Sequence, residues 1–382
     1  MTTILLPEKQ LGIRGRLLRI NVLLLVLLWA IGGVGVMTLY SVAEGSWTPY
    51  ASQHLVRFAF ATVILLAVAV TPLRFWLEAA YPLYFAGLVL LLLVPVIGDV
   101  NNGAKRWISL GGFQLQPSEL MKIALVMALA RYYHGLEYKK VSTFLGVIPP
   151  LVLIAVPVGL VFLQPDLGTA ILTGVAGIMV VLLAGISWRW IVMGVVAGFF
   201  GIIGAIQTGL LKAYQIERVT AFLDPTYDPL GANFHPNQSK IAIGSGGVDG
   251  KGFMEGTQSQ LGFLPEKHTD FIFTIFGEEF GLIGTLGLLM LYFTTFFVGT
   301  RISLAAKSHF GRLLALGISL TLVMYVLVNT GMVMGLAPVV GVPLPLVSYG
   351  GTVMLAMMGG FGLVMSVWIH RHQDTLRTPG WR

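Results

Sequence analysis

The chain has 382 residues, of which 56% are hydrophobic and only 11% are charged. Globular soluble domains carry roughly 25% charged residues, so a water-soluble domain of this length is excluded. The net charge of +7 invites a nucleic-acid reading, but the cations are scattered between apolar runs, which suits membrane orientation instead. With no cysteine there is neither a disulfide framework nor a thiolate metal site.

A membrane span needs about 20 apolar residues. Ten such runs follow in order, near 20–40, 56–72, 76–98, 117–134, 143–163, 167–186, 188–210, 270–299, 313–337 and 347–370. The first follows a basic start, as a signal peptide would. It is long and lacks a small-residue cleavage site, so it reads as a retained span. The run with Pro149, Pro150 and Pro157 remains a span, because neighbouring helices can satisfy carbonyls freed by proline. The 47 glycines allow helices to approach closely. The expected fold class is an all-α polytopic membrane protein of about ten transmembrane helices. It forms one domain over 1–382, with a large extracytoplasmic loop (211–270) between helices 7 and 8.

Cations near span ends set orientation. With the N-terminus in the cytoplasm, fifteen Lys and Arg of the tails and short connections fall inside. Only Arg57, Lys105 and Arg106 mark the short outer segments. Ten spans return the C-terminus to the cytoplasm. The segments 101–116, 164–166, 337–345 and the large loop are then outside.

The large loop holds seven of the seventeen acidic residues, which makes it the first place to look for chemistry. Its glycine-rich piece Gly244–Gly252 lacks the GxxxxGK[ST] spacing of a phosphate loop and reads as flexible loop.

Several polar residues stand out against the apolar background. Lys122 lies about one turn inside the fourth span, where an ionisable side chain is expensive and a functional candidate. Glu119, three residues earlier on the same face, is its natural partner, and a purely structural ion pair is the alternative. Lys105 and Arg106 beside Trp107 suit a lipid phosphate at headgroup depth, or plain interfacial anchoring. Asp166 in Gln164-Pro165-Asp166 is placed to cap the next helix. Asp270 stands where the large loop re-enters the membrane. It reads either as a helix cap or as a general base whose pKa burial would raise towards the working range. Asp270, Thr274 and Glu278 recur at a spacing of four, which predicts one helix face lining a polar groove. Glu279 lies one position round.

The stretches NNGAKRWISLGGFQLQPSELMKIAL (101–125), QPDLGTA (164–170), FLDPTYDPLGANFHPNQSKIAIGSGG (222–247), GTQSQLGFLPEKHTDFIFTIFGEEFGLIG (256–284) and PLPLVSYGG (343–351) are long and specific. In them the chain resembles the SEDS (shape, elongation, division, sporulation) family of peptidoglycan glycosyltransferases, its RodA branch more than its FtsW branch. The resemblance spans essentially all ten runs. It implies that lipid II is polymerised into glycan strands on the outer membrane face. The family's essential aspartate falls on Asp270, and its substrate-binding positions fall on Arg106, Lys122 and Glu119, with Lys105 beside them. It implies a class B penicillin-binding protein as transpeptidase partner, among other elongation-complex membrane proteins. A divalent cation, Mg or Mn, shared with the substrate diphosphate is the one cofactor expected, since no all-protein metal cage is visible. Two other readings stay open: a lipid II flippase using Lys122 and Glu119 as a polar path, and a non-catalytic scaffold of the wall-synthesis complex.

Overall fold

The structure is a computed structural model. It describes residues 12–373 apart from 102–103, 112, 208, 210–212, 225–226, 229–230, 232 and 261–266. Lys9, Arg377, Arg382, the start of the large loop and the LGFLPE piece of the fourth quoted motif therefore lie outside the described residues.

The elements run α1 (Ile13–Leu17), α2 (Val22–Val42), α3 (Tyr50–Val70) and α4 (Leu73–Ile97). A small antiparallel meander follows, of β1 (Asp99–Asn101), β2 (Ala104–Leu110) and β3 (Phe113–Leu115). Then come α5 (Pro117–Gly135), α6 (Phe144–Leu163), α7 (Leu167–Leu183) and α8 (Trp188–Gln207). The large loop carries α9 (Ala213–Leu223), α10 (Phe234–Ser245) and α11 (Thr257–Gln260). The chain ends with α12 (Ile272–Ala305), α13 (His309–Val333) and α14 (Gly351–Ile369).

Seven of these helices are long and apolar enough to cross a membrane among the described residues: α2, α3, α4, α6, α12, α13 and α14. Two of the other expected spans have visible reasons to fall short: α5 carries Glu119, Lys122 and Arg131 within one span length, and α7 has 17 residues, while α8 runs 20 residues over the seventh apolar run. Together they make up the ten apolar runs of the sequence.

Burial sorts these helices into a centre and a rim. Helices α5, α13 and α14 bury most of their length, so their polar residues must find partners inside the protein. Helices α3 and α4 expose long apolar faces such as Phe60, Val63, Val89 and Leu92. That is the pattern of helices whose outer side meets hydrocarbon.

Helix α12 is broken. Gly281 has φ 61° and ψ −160°, which ends the first helical piece after Phe280. In an unbroken helix Leu282 and Ile283 would donate to the carbonyls of Glu278 and Glu279. Here the glycine-rich segment slots in between. Leu282 N–H donates to Gly247 O at 3.0 Å and Ile283 N–H to Val248 O at 3.1 Å. Lys251 and Gly252 N–H donate to Glu278 O and Glu279 O at 3.1 and 3.0 Å. All four orphaned groups are thereby satisfied, as a buried break requires. The run read as flexible loop is therefore a brace. A Cβ on Gly281 would collide with the Gly250 nitrogen, and one on Gly250 (φ 84°) with the Glu279 carbonyl. The brace needs glycine on both sides.

Candidate functional site

Asp270 lies in a turn directly before α12, partly exposed, and Phe271 rather than Asp270 is the N-cap. Its backbone is pinned on all sides. The buried Asn329 of α13 donates through Nδ2 to Asp270 O at 2.9 Å and to Val342 O at 2.7 Å. Ser348 Oγ donates to Thr269 O at 2.6 Å, and Tyr349 N–H to His268 O at 2.9 Å. The extended segment between α13 and α14 thus holds the main chain of residues 268–270. Gly341 in that segment comes so close that a Cβ there would be 3.4 Å from Asp270 Oδ2. The result is a main chain held in place at residues 268–270, just before α12.

The predicted groove along Asp270, Thr274 and Glu278 does not form. Asp270 precedes the helix, and the other two are fully buried. Thr274 Oγ1 shares a 2.6 Å hydrogen bond with Ser239 Oγ of α10. Glu278 Oε1 accepts from Lys251 Nζ at 2.6 Å, from Thr257 Oγ1 at 3.1 Å and from Gln258 N–H at 3.0 Å. Glu279 accepts from Ser41 Oγ of α2. These acids tie the large loop and α2 to the broken helix instead of facing a channel.

Glu119 and Lys122 form the ion pair their spacing suggests, with Lys122 Nζ 2.7 Å from Glu119 Oε1. Both are buried, on a helix that buries most of its length. The second carboxylate oxygen accepts from the Tyr325 hydroxyl, and Lys122 Nζ lies 4.6 Å from the centre of the Tyr325 ring. Tyr325 and Asn329 are four residues apart on α13 and so share its face. One end of that face holds the ion pair and the other holds the Asp270 backbone.

Lys105 and Arg106 are parted by the strand that carries them, because neighbours on a strand point to opposite sides. Lys105 Nζ donates to Pro95 O at 3.1 Å, back towards α4. Arg106 donates to Pro165 O at the α6–α7 turn. That turn continues into Gly168, whose backbone presses on Val340, next to Gly341. Arg106 is thus tied to the α6–α7 turn and Lys105 to the end of α4. Asp166 caps α7, accepting from Thr169 N–H at 3.2 Å, and its other oxygen accepts from Gln116 Nε2 at 3.2 Å. The cap reading of Asp166 is the one the geometry bears out.

Tyr325 and Asn329 were not singled out from the sequence. Their signal was available: two hydrogen-bonding side chains one turn apart inside an apolar span are costly unless partnered.

The apolar helices, seven of them among the described residues long enough to cross a membrane, packed around buried polar side chains, define a multi-pass membrane protein. Residues 18–373 match the FtsW/RodA/SpoVE family model, described as cell cycle protein, and the chain belongs to that family. It is 46% identical over 339 residues to the peptidoglycan glycosyltransferase MrdB of Escherichia coli K12, covering 86% of this chain and 88% of that one. A chain from a solved structure concerning coordination of polymerization and crosslinking by a peptidoglycan synthase complex superposes with a TM-score of 0.80. It is 35% identical and the match covers 93% of this chain and 99% of that one. The rod shape determining protein RodA of Thermus thermophilus superposes at 0.67 with 31% identity, covering 93% and 98%. The RodA side of the resemblance is thus supported by sequence and by fold.

Proposed function

We infer that this chain is a peptidoglycan glycosyltransferase of the bacterial cytoplasmic (inner) membrane, polymerising lipid II during cell elongation. Both termini face the cytoplasm and the Asp270 end faces out, as the distribution of cations favours. The observation that carries the reading is the pinned Asp270. Its carbonyl is held by Asn329 and that of the preceding Thr269 by Ser348, and Gly341 lies beside its carboxylate.

The donor is a growing strand on undecaprenyl diphosphate, and the acceptor is the GlcNAc 4-hydroxyl of a second lipid II. Asp270 takes the hydroxyl proton while the acceptor oxygen bonds to the donor's anomeric carbon. The bond from that carbon to the diphosphate oxygen breaks, and its electron pair leaves with the diphosphate. Attack comes from the face opposite the leaving group, through an oxocarbenium-like transition state. Undecaprenyl diphosphate is a far better leaving group than a sugar alkoxide, so no protein acid is assigned. Arg106 balances the departing charge. Lys105 points away and serves the headgroup region, and Lys122 acts from behind, through Glu119, Tyr325 and the α13 face that also carries Asn329.

No three metal-ligating side chains converge among the described residues. A divalent cation, Mg or Mn, would be held by Asp270 together with the substrate diphosphate and would supply further charge neutralisation. A class B penicillin-binding protein is the proposed partner, supported by the likeness to a synthase complex that couples polymerization to crosslinking. The flippase reading needs Glu119 and Lys122 along an aqueous path, whereas both are buried and paired.

The test is polymerisation of purified lipid II, with and without the transpeptidase, by wild type and Asp270→Asn. Glycan ladders from wild type alone are expected. Equal ladders from both would remove Asp270 as the base, and none from either, with partner and divalent cation present, would return the weight to flippase or scaffold.

A further inference from the structure

The end of the bundle away from Asp270 carries a cavity that the glycosyl transfer does not use. Helix α14 starts at Gly351, two residues after Tyr349, whose N–H holds His268. Its 19 residues rise about 28 Å, at about 1.5 Å each, before it ends at Ile369. There Trp368, Arg371 and His372 meet Leu18, Arg19 and Ile20, the link between α1 and α2, around a cavity of about 430 Å³.

Both sides of the cavity are anchored. Arg16 Nη1 donates to Val70 O at the end of α3 at 2.8 Å, and Asn21 N–H donates to Met365 Sδ of α14 at 3.1 Å, so the link is held before and after Arg19. On the other side the Arg371 guanidinium stacks 4.0 Å above the Trp368 ring and donates through Nη1 to Trp368 O at 2.9 Å. The Arg371 carbonyl accepts from Lys307 N–H at 2.9 Å. The charges of Arg16 and Arg19 both reach His370, the C-cap of α14, so the cations of the two chain ends share one neighbourhood.

This positive charge is unbalanced. No acidic side chain lines the cavity, and neither 12–43 nor 351–373 contains Asp or Glu. Glu8 and Asp374 lie outside the described residues. None of the ion pairs among the described residues includes Arg16, Arg19 or Arg371. A guanidinium fork held on an aromatic face is suited to a phosphate. With no carboxylate to meet the ammonium of a zwitterionic headgroup, the cavity favours a ligand of net negative charge. Leu18, which lines it, is 82% exposed, and Val22 just beyond the link is 66% exposed. Acyl chains would cover both, whereas a free phosphate ion would cover neither. Trp368 completes the setting of a membrane interface, where tryptophan is enriched. We propose that this cavity binds the phosphate of an anionic glycerophospholipid between Arg19 and Arg371, with its acyl chains along Leu18 and Val22. Such a lipid joins the first span to the last at the end assigned to the cytoplasm, and its binding is independent of the reaction at Asp270.

The experiment is native mass spectrometry of the full-length protein in detergent, titrated with phosphatidylglycerol or phosphatidylcholine. Wild type should hold one phosphatidylglycerol about tenfold or more tightly than phosphatidylcholine. Arg19→Gln/Arg371→Gln should lose that preference. Arg19→Gln alone changes an exposed side chain and spares the fold, so it keeps the test valid if the double variant is unstable. It should weaken phosphatidylglycerol about fivefold. Arg74→Gln, which removes an exposed cation at the start of α4, should leave the preference intact. Unchanged phosphatidylglycerol affinity in Arg19→Gln, or equal binding of the two lipids by wild type, would overturn the site. So would a loss in Arg74→Gln as large as that in Arg19→Gln, since any surface cation would then serve. Inorganic phosphate that displaces the lipid at equal concentration would overturn the lipid as its ligand.

Discussion

Tyr325 donates its hydroxyl proton to the same Glu119 carboxylate that Lys122 reaches at 2.7 Å, which closes a three-residue polar cluster between α5 and α13. Both carboxylate oxygens are occupied, and the pair is buried. Removing one partner of such a pair strands the other charge, at a cost of about 3–5 kcal/mol. Lys122→Met should therefore lower the thermal unfolding temperature of the detergent-solubilised protein clearly. Glu119→Gln/Lys122→Met should recover part of that loss, because neither variant side chain is charged. A double variant at least as unstable as the sum of the singles would show that the pair is not the source.

Asn329 offers a sharper probe of catalysis. One buried amide group serves the carbonyls of Asp270 and Val342. Asn329→Ala leaves both without that donor, costing about 1–3 kcal/mol. The protein should still fold, but the Asp270 turn loses its anchor, and small misplacements of a reacting group cost about a hundredfold. The rate at saturating lipid II should fall by about tenfold or more. The half-saturating concentration should change little, because Asn329 lies behind Asp270 and not against substrate. Equal changes in both parameters would point to general loosening instead.

The ten runs of the bundle were legible because about 20 consecutive apolar residues have one economical arrangement in a bilayer. The Glu119–Lys122 pair was legible as charge where charge is costly. What was hidden depends on contacts far apart in the chain. Asn329 meets Asp270 across 59 positions and Tyr325 meets Glu119 across 206, and no local periodicity encodes such pairs. The spacing argument for Asp270, Thr274 and Glu278 assumed that the helix began before Asp270. It begins at Ile272, and Gly281 breaks it again. The glycine-rich run looked loose because glycine permits looseness. Its other property, close backbone approach, is the one used here.

Lys251 ties the large loop to the broken helix through Glu278, which is fully buried. Lys251→Met removes the only cation on that carboxylate among the described ion pairs and leaves Thr257 and the Gln258 amide as its donors. Stability should fall by about 3 kcal/mol. Adding Glu278→Gln should restore much of it, since a neutral amide needs no counter-charge. Protease sensitivity of residues 245–260 is the direct readout: Lys251→Met should be cut faster there than wild type, and the double variant should not. Unchanged cleavage in Lys251→Met would mean that the backbone brace alone holds the segment.

The brace itself makes the last prediction. Gly281 and Gly250 face each other across one backbone contact, each with positive φ and neither with space for a methyl group. Gly281→Ala must either strain the left-handed residue or push Gly250 away. The second course breaks the hydrogen bonds that Gly247, Val248, Lys251 and Gly252 make to the two halves of α12. Strain at such a position costs about 1–3 kcal/mol, and four buried backbone hydrogen bonds put at risk add to it. Each of Gly281→Ala and Gly250→Ala should thus reduce the folded yield severely. Because both act on the same contact, the double variant should be less unstable than the sum of the singles. Additive losses in chemical denaturation would show two independent defects and remove the contact as their common cause. Hydrogen exchange separates the alternatives further. If the brace opens, the amides of Leu282 and Ile283 should exchange faster in either single variant, while those in the middle of α13 keep their protection.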